Sequence, residues 1–169
     1  MPDVARPFRR RGGRFLVSLT DEERTMLVEL ARQVRELLDA EDPSSDPAVA
    51  RLFPPAYTDD PLRNLEFETN MGAQPRNGKL EAVDTLERTV RSTELTQDEL
   101  VAWMAVVNDA RLVIGTRIEI TEQATEADFP EGHPHRETFG IYVYLTWLED
   151  RILRALGDPP AGDLSSGRD

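Results

Sequence analysis

The chain contains no cysteine among its 169 residues. Without thiols it cannot form disulfides, hold a metal through sulfur, use a cysteine nucleophile or sense oxidants by thiol chemistry. Histidine is scarce as well, with only His133 and His135. No apolar run approaches the length needed to cross a bilayer. These absences exclude thiol enzymes and predict a cytoplasmic protein that makes no membrane contact.

Motifs of enzymes are equally scarce. The chain lacks a phosphate-binding loop, a dinucleotide-binding glycine motif and a Ser/His/Asp signature. Carboxylates are plentiful, but the sequence distinguishes no pair of them for acid–base work. His133 and His135 could hold a divalent metal, yet a zinc site needs at least a third ligand. We therefore expect no enzyme and no cofactor, and a metal protein centred on these histidines is the weaker alternative.

Charge is unevenly distributed along the chain. The formal net charge is -12, while residues 1–20 carry five arginines and one aspartate, a local charge of +4. The other 149 residues therefore carry -16. A body this acidic repels phosphate backbones, so any contact with DNA has to be made by the amino-terminal segment.

The segment FRRRGGRFLVSL, residues 8–19, predicts a β-hairpin closed by Gly12 and Gly13. A two-residue primed turn needs positive φ, which glycine adopts readily. The register then places Arg11 opposite Arg14. Because side chains alternate between faces, we expect one face with Phe8, Phe15, Val17, Leu19 and Arg10, and another with Arg9, Arg11, Arg14 and Leu16.

Apolar residues recur at helical spacing over most of the remaining chain. Capping boxes are predicted at Thr20 with Glu23 and at Thr96 with Glu99, where hydroxyl and carboxylate satisfy free backbone groups. The predicted helices run from Thr20 to Asp39, Pro47 to Phe53, Asp60 to Gly72, Asn77 to Arg91, after Thr96, and Pro134 to Leu156. The last helix is apolar around much of its circumference and is expected at the centre of the core.

These patterns predict a mainly α protein, a single helical-bundle domain with an amino-terminal β-hairpin. Residues 1–5 are expected to be flexible, and residues 6–157 to form the domain, with the hairpin at 6–19. Residues 158–169, rich in proline, glycine and serine, are expected to be a disordered tail.

Arg111 falls on the expected apolar stripe of the helix after Thr96. A guanidinium does not lose its proton, so a buried one needs a carboxylate. Glu149 and Asp150 on the last helix are candidates, and Asn108, one turn before Arg111, could complete the network. We interpret the four residues as a polar lock between two helices. An anion pocket for a ligand is the functional alternative.

Arg9, Arg10, Arg11 and Arg14 are the candidate binding residues. Like charges opposite each other destabilise a hairpin, and an anionic partner would remove that penalty. Two-stranded ribbons can enter the major groove of DNA, where arginine suits phosphate and guanine. An acidic protein surface would serve equally well. The structural alternative is that these arginines are solvated or pair with acids such as Asp21 and Glu22.

Several stretches occur in an order found in one family. They are RPFRRRGGRFLVSLTDEE, DPAVARLFPPAYTDDP, RNGKLEAVDTL, LVAWMAVVNDARLVIGTRIEI and YLTWLEDRILRAL. The chain resembles the DUF2017 family of actinobacterial proteins, which includes an oxidative stress regulator. The resemblance covers about residues 6–157. NDARLVIGTR, residues 108–117, is its most specific part, whereas residues 63–78 depart from the family pattern.

The resemblance implies a mostly helical cytoplasmic protein that acts in stress-responsive transcription with an alternative sigma factor. Family members are also commonly encoded beside the N-degron adaptor of the Clp protease. Redox sensing in the family's regulator is attributed to a cysteine pair, which this chain lacks. We therefore expect a non-enzymatic transcriptional regulator without thiol sensing, which contacts a protein of the transcription machinery or DNA. The alternative is an adaptor or scaffold for Clp-type proteolysis.

Overall fold

The computed structural model describes residues 6–40, 46–52 and 74–157. Within these ranges the chain is mainly helical and carries one small antiparallel sheet. The strands are β1 (Phe8–Arg11), β2 (Arg14–Val17) and β3 (Glu94–Thr96). The helices are α1 (Asp21–Leu38), α2 (Pro47–Ala50), α3 (Gln74–Thr89), α4 (Gln97–Arg117) and α5 (Arg136–Gly157).

Three predicted segments lie outside the described residues: the flexible residues 1–5, the helix from Asp60 to Gly72 and the disordered tail 158–169. None of the helices in the described ranges is both long and apolar enough to cross a membrane.

The predicted hairpin is confirmed in its register. Phe8 pairs with Val17, Arg10 with Phe15, and Arg11 with Arg14. Of the two turn glycines only Gly12 has a positive φ, of 62°. That is the conformation required at the first central position of a type II′ turn, whose twist matches that of the strands.

A third strand extends the hairpin into a sheet, which the sequence did not predict. β3 pairs antiparallel with β2, so that Arg14 lies opposite Thr96, Phe15 opposite Leu95 and Leu16 opposite Glu94. The backbone N–H of Val17 also donates to the carbonyl of Thr93 at 2.8 Å. The sheet order is β1-β2-β3, and its inner face packs on the helices.

Both predicted capping boxes are confirmed. At the start of α1, the Glu23 N–H donates to Thr20 Oγ1 at 3.1 Å, and the Thr20 N–H donates to Glu23 Oε2 at 2.7 Å. Thr96 and Glu99 make the same pair of bonds at the start of α4. Thr96 thus ends β3 and caps α4, which ties the sheet directly to the helical body.

The central helix is α4, not the last helix as predicted. It packs against α1, α2, α3 and α5 and against the sheet. Trp103 in its second turn is fully buried, its Nε1 donates to Thr89 Oγ1 at 2.8 Å, and Phe8 contacts its ring edge-on. α5 instead covers one side of the bundle, so apolar residues such as Val143 and Leu153 remain exposed on it.

Arg111 lies at the margin of the buried face of α4, which corrects the predicted stripe. The face centres on residues spaced three or four apart: Leu100, Trp103, Val107, Ala110 and Val113. Arg111 follows Ala110 and keeps 25% of its side chain exposed. A helix surrounded on several sides has a broad apolar surface, so spacing alone does not identify the centre of its buried face.

Candidate functional site

Three arginines project from the outer face of the sheet, away from the helices. Arg9, Arg11 and Arg14 are exposed, whereas Phe8 and Phe15, which alternate with them, are buried. We call Arg9, Arg11 and Arg14 the arginine face. Leu16, Glu94 and Thr96 share this side of the sheet.

Within the described part of the chain, no acidic side chain forms an ion pair with the arginine face, although Glu94 lies on the same side of the sheet. None of its three side chains forms an ion pair or a hydrogen bond there, although the body around the sheet is strongly acidic. The nearby acid Asp21 lies instead 3.8 Å from Arg91. Arg11 and Arg14 are directly opposite each other in the ladder, so two like charges meet without internal neutralisation.

Arg10 differs from its neighbours in the hairpin. Its guanidinium lies 4.7 Å from the centre of the Phe15 ring, and Nη2 donates to the carbonyl of Leu156 at 3.4 Å. The carbonyl belongs to the last turn of α5, where a positive charge is favourable. Arg10 therefore fastens the hairpin to α5 and is turned away from the face offered to a partner.

Arg111 and Glu149 form a partly buried ion pair between α4 and α5. Arg111 Nε lies 2.9 Å from Glu149 Oε2, and their side chains are 25% and 19% exposed. The Nε–H bond does not point at that oxygen with hydrogen-bond geometry, so the contact is chiefly electrostatic. Of the two carboxylates named from the sequence, Glu149 is the one that lies beside Arg111.

The other two residues of the predicted lock contribute unequally. Arg111 Nη2 lies 3.5 Å from Asn108 Oδ1, at the outer limit of a hydrogen bond. Asp150 is not part of the group, because it is exposed on α5 and accepts a hydrogen bond from Arg154 at 2.8 Å. Tyr142, which sequence reasoning did not include, lies with its hydroxyl 3.4 Å from Arg111 Nη1.

Arg24, near the start of α1, is a buried cation that sequence reasoning missed. Its guanidinium donates to main-chain carbonyls from two separate parts of the chain, at distances from 2.6 to 3.4 Å. The acceptors are the carbonyls of Val17, Leu19, Val90 and Ser92. Burial lowers the pKa of Arg24, and the carboxylate of Asp21 opposes that effect. Arg24 joins the end of β2 to the segment between α3 and β3.

A buried carboxylate, Asp109, was also missed. It is 4% exposed and accepts hydrogen bonds from Lys79 Nζ of α3 at 2.9 and 3.1 Å. Burial raises the pKa of Asp109, and the contact with Lys79 works in the opposite direction. Val106 and Val113, three positions before and four positions after Asp109, lie on the same face of α4, and this apolar spacing is a sequence signal that Asp109 faces inward.

The histidines do not assemble a metal site in the described ranges. His133 Nδ1 accepts the backbone N–H of His135 at 3.0 Å, and the His133 ring packs edge-on against Phe129. Within the same ranges, no three His, Cys, Asp or Glu side chains are grouped so that they could hold a metal ion. The geometry gives the metal alternative no support.

Comparison with known proteins identifies relatives over most of the chain. Oxidative stress regulator AosR of Mycobacterium tuberculosis strain H37Rv is 29% identical over an alignment of 184 positions, gaps included, which covers 87% of this chain and 84% of the relative. The AosR protein of Mycobacterium bovis has the same identity and coverage. A protein of Mycobacterium leprae that carries the AosR name is 33% identical over an alignment of 128 positions, gaps included, which covers 66% of this chain and 58% of the relative.

No solved structure matches the chain. Residues 5–156 match the family described as Domain of unknown function (DUF2017), a span that takes in the hairpin, the central helix α4 and nearly all of α5. The resemblance seen in NDARLVIGTR and the flanking stretches is thereby confirmed: the chain belongs to the DUF2017 family.

Proposed function

We propose that this chain is a non-enzymatic regulator of stress-responsive transcription. In this proposal it acts by binding an acidic surface on a protein of the transcription machinery, a sigma factor or RNA polymerase. The main observation behind this proposal is the arginine face, whose three exposed guanidinium groups have no acidic partner in the described part of the chain. The relatives named oxidative stress regulator support the stress-related role.

An acidic protein is favoured over DNA by the charge of the rest of the molecule. The 149 residues after Thr20 carry -16, so a DNA duplex lying across the sheet would be repelled by the adjacent body. A protein partner can place a compact acidic patch against the arginine face alone. Charge complementarity of this kind sets the association rate and the orientation of binding.

The regulator we propose does not sense oxidants through thiols, because the chain contains no cysteine. Its stress signal would arrive through the partner or through a change in the amount of either protein. Arg10 is excluded from the binding set, since its guanidinium is engaged with Phe15 and Leu156.

The test is charge reversal of the arginine face, Arg9→Glu, Arg11→Glu and Arg14→Glu in one variant. The matched control reverses three exposed arginines elsewhere: Arg32, Arg88 and Arg154. Both variants are used as bait in host extract, bound proteins are identified, and transcripts are compared after oxidant treatment. We expect only the first variant to lose a bound transcription protein and the transcript response, at unchanged melting temperature.

Two outcomes would overturn the proposal. If the arginine-face variant captures the same proteins as the control, the face does not bind the partner. If wild-type protein retards a DNA duplex in a gel, in a manner that weakens steeply with salt and disappears in the variant, the partner is nucleic acid.

A second candidate function is that of an adaptor in Clp-type proteolysis. One observation favours it: a groove of about 250 Å³ between α1 and α4, with apolar walls that include Leu30, Val34 and Val113. Docking in this groove would survive reversal of the arginine face and would respond little to salt. Capture of Clp components by both variants above would therefore favour the adaptor.

A further inference from the structure

A pocket of about 340 Å³ opens between α2, α4 and α5. Its lining combines two arginines, Arg51 and Arg111, with the ring and hydroxyl of Tyr142. Leu112 and Ile120 supply apolar surface. Pockets of this size with a few polar groups on apolar walls are typical of small-molecule sites.

We propose that this pocket binds a small organic carboxylate, with the carboxylate held by Arg51 and Arg111 and a short apolar body against Leu112 and Ile120. The proposal is independent of the arginine face on the sheet. It concerns the same Arg111 that pairs with Glu149, and it gives that residue a role beyond the packing of α4 against α5.

The first argument is the hydrogen bonding of Arg111. A guanidinium has five N–H donors in a rigid plane. The contacts of Arg111 through Nη1 and Nη2, to Tyr142 and Asn108, measure 3.4 and 3.5 Å, longer than usual for N–H···O bonds. Its Nε is buried beside Glu149 and is not available to a ligand. The two Nη groups are thus weakly used, and a carboxylate could accept from them in the bidentate manner that arginine favours.

The second argument is the presence of another cation in the lining of the pocket. Arg51 lies just beyond α2, is exposed, and forms no ion pair with the residues that the structure describes. Glu149 already compensates much of the charge of Arg111, whereas Arg51 has no such counter-charge among the described residues. A carboxylate bound in the pocket would therefore gain most from Arg51.

The third argument is that the pocket wall is fixed in advance. A Cβ at Gly115 would lie 3.0 Å from Ile120 Cγ2 and 3.1 Å from Tyr142 Cε2, so only glycine lets both side chains approach α4 this closely. The segment after α4 is anchored by Ile118, Phe129 and Phe139, which form a small buried cluster of their own.

Glu119 at the end of α4 limits which anions fit. It lines the pocket and has φ of 54°, a left-handed conformation usually taken by glycine at this position of a helix end. Its carboxylate repels a bound anion, and the repulsion is greater for a doubly charged phosphate than for a monocarboxylate. The pocket should therefore prefer a singly charged ligand with an apolar body.

The experiment is calorimetric titration of the full chain with benzoate and, separately, with inorganic phosphate. We expect saturable benzoate binding that is about tenfold weaker in Arg51→Gln, because one charge-assisted hydrogen bond is lost. Glu119→Gln should bind benzoate severalfold more tightly. Arg154→Gln, which removes an exposed charge at a distant point of α5, should bind like the wild type.

Any of three results would overturn the proposal. One is the absence of saturable benzoate binding in wild-type protein whose circular dichroism is native. Another is equal weakening by Arg51→Gln and Arg154→Gln, which would indicate net charge instead of a site. The third is tighter binding of phosphate than of benzoate, which would show that the apolar wall contributes nothing.

Discussion

Arg24 is held inside the domain by main-chain oxygen atoms instead of by a carboxylate. Buried cations are usually paired with acids, and replacing both members of such a pair can be harmless. Here the acceptors are carbonyls of four residues that cannot be removed by mutation. Without the guanidinium these carbonyl groups would lose a hydrogen-bond donor. Arg24 is therefore more important for stability than an ordinary surface arginine.

Replacement of Arg24 by methionine should lower the free energy of unfolding by about 2–4 kcal/mol, because several buried carbonyls lose their donors. Arg32→Met on the exposed side of the same helix should cost far less, because exposed ion pairs contribute little to stability. Urea denaturation of both variants measures the difference. Equal losses would mean that water replaces the guanidinium at the carbonyls.

Asp109 should make stability depend on pH in the direction opposite to that of most carboxylates. Burial raises the pKa of Asp109 in the folded protein above its ordinary value, so the folded protein binds this proton more tightly than the unfolded chain does. The protonated carboxyl of Asp109 therefore favours the folded state. This contribution to stability is fully present below the pKa of Asp109 in the unfolded chain, and it is lost as the pH rises through its pKa in the folded protein.

We therefore expect wild-type protein to gain stability relative to Asp109→Asn as the pH falls from about 7 to about 4. Denaturation of both proteins across this range gives the difference between their unfolding free energies. If the wild type instead loses stability relative to Asp109→Asn on acidification, the attraction of Lys79 outweighs burial and the pKa of Asp109 is lowered in the folded protein.

At the scale of elements, the joint between α4 and α5 is the contact that sequence reasoning described best. A buried guanidinium needs a carboxylate, so Glu149 and Asp150 on the last helix were the candidate partners of Arg111, and Glu149 lies 2.9 Å from it. Asp150 is adjacent in sequence but points about 100° further around α5, toward Arg154. Which of two neighbouring acids faces inward depends on the rotation of the helix, and that is set by tertiary packing.

Glu149→Ala should lower the free energy of unfolding by about 1–2 kcal/mol, because it leaves a partly buried guanidinium without its counter-charge. Arg111→Met removes the charge and keeps an apolar stem, so we expect a smaller loss. Asp150→Ala is the control from the next position, with an effect below about 0.5 kcal/mol. Thermal denaturation orders the three variants, and a larger loss in Arg111→Met than in Glu149→Ala would contradict the assignment.

The third strand and the central helix show where prediction from sequence fails at this scale. Glu94, Leu95 and Thr96 are too few for an alternating pattern to be recognised, and they form a strand because β2 offers them hydrogen bonds. The helices α4 and α5 are both apolar on more than one side. Which of the two helices lies at the centre of the bundle depends on which other elements pack against each of them. The sequence of one helix alone does not determine this.

For the whole molecule, we propose that the hairpin and the helices form one cooperative unit. Phe8, Phe15 and Val17 belong to the same buried cluster as Leu27 of α1 and Trp103 of α4. The basic amino-terminal segment is therefore not a detachable arm. Its outer face is free for binding because its inner face supplies part of the core.

Phe15→Ala should lower the free energy of unfolding by about 3–5 kcal/mol, since a fully buried aromatic ring is lost. The helical signal in circular dichroism and the tryptophan fluorescence should fall together at the lower temperature. Leu16→Ala, one residue away on the outer face, should cost under about 1 kcal/mol. Helices that melt at the wild-type temperature in Phe15→Ala would identify the hairpin as a separate unit.

The alternation of side chains in β1 and β2 has a consequence for how this protein can change over generations. Because successive residues face opposite sides, inserting or deleting a single residue between Phe8 and Phe15 would bring guanidinium groups into the interior and turn aromatic rings to solvent. Substitutions of Arg9, Arg11 or Arg14 carry no such structural penalty. The binding specificity of the arginine face can therefore change through single substitutions during evolution, whereas the number of residues in the hairpin has to stay the same.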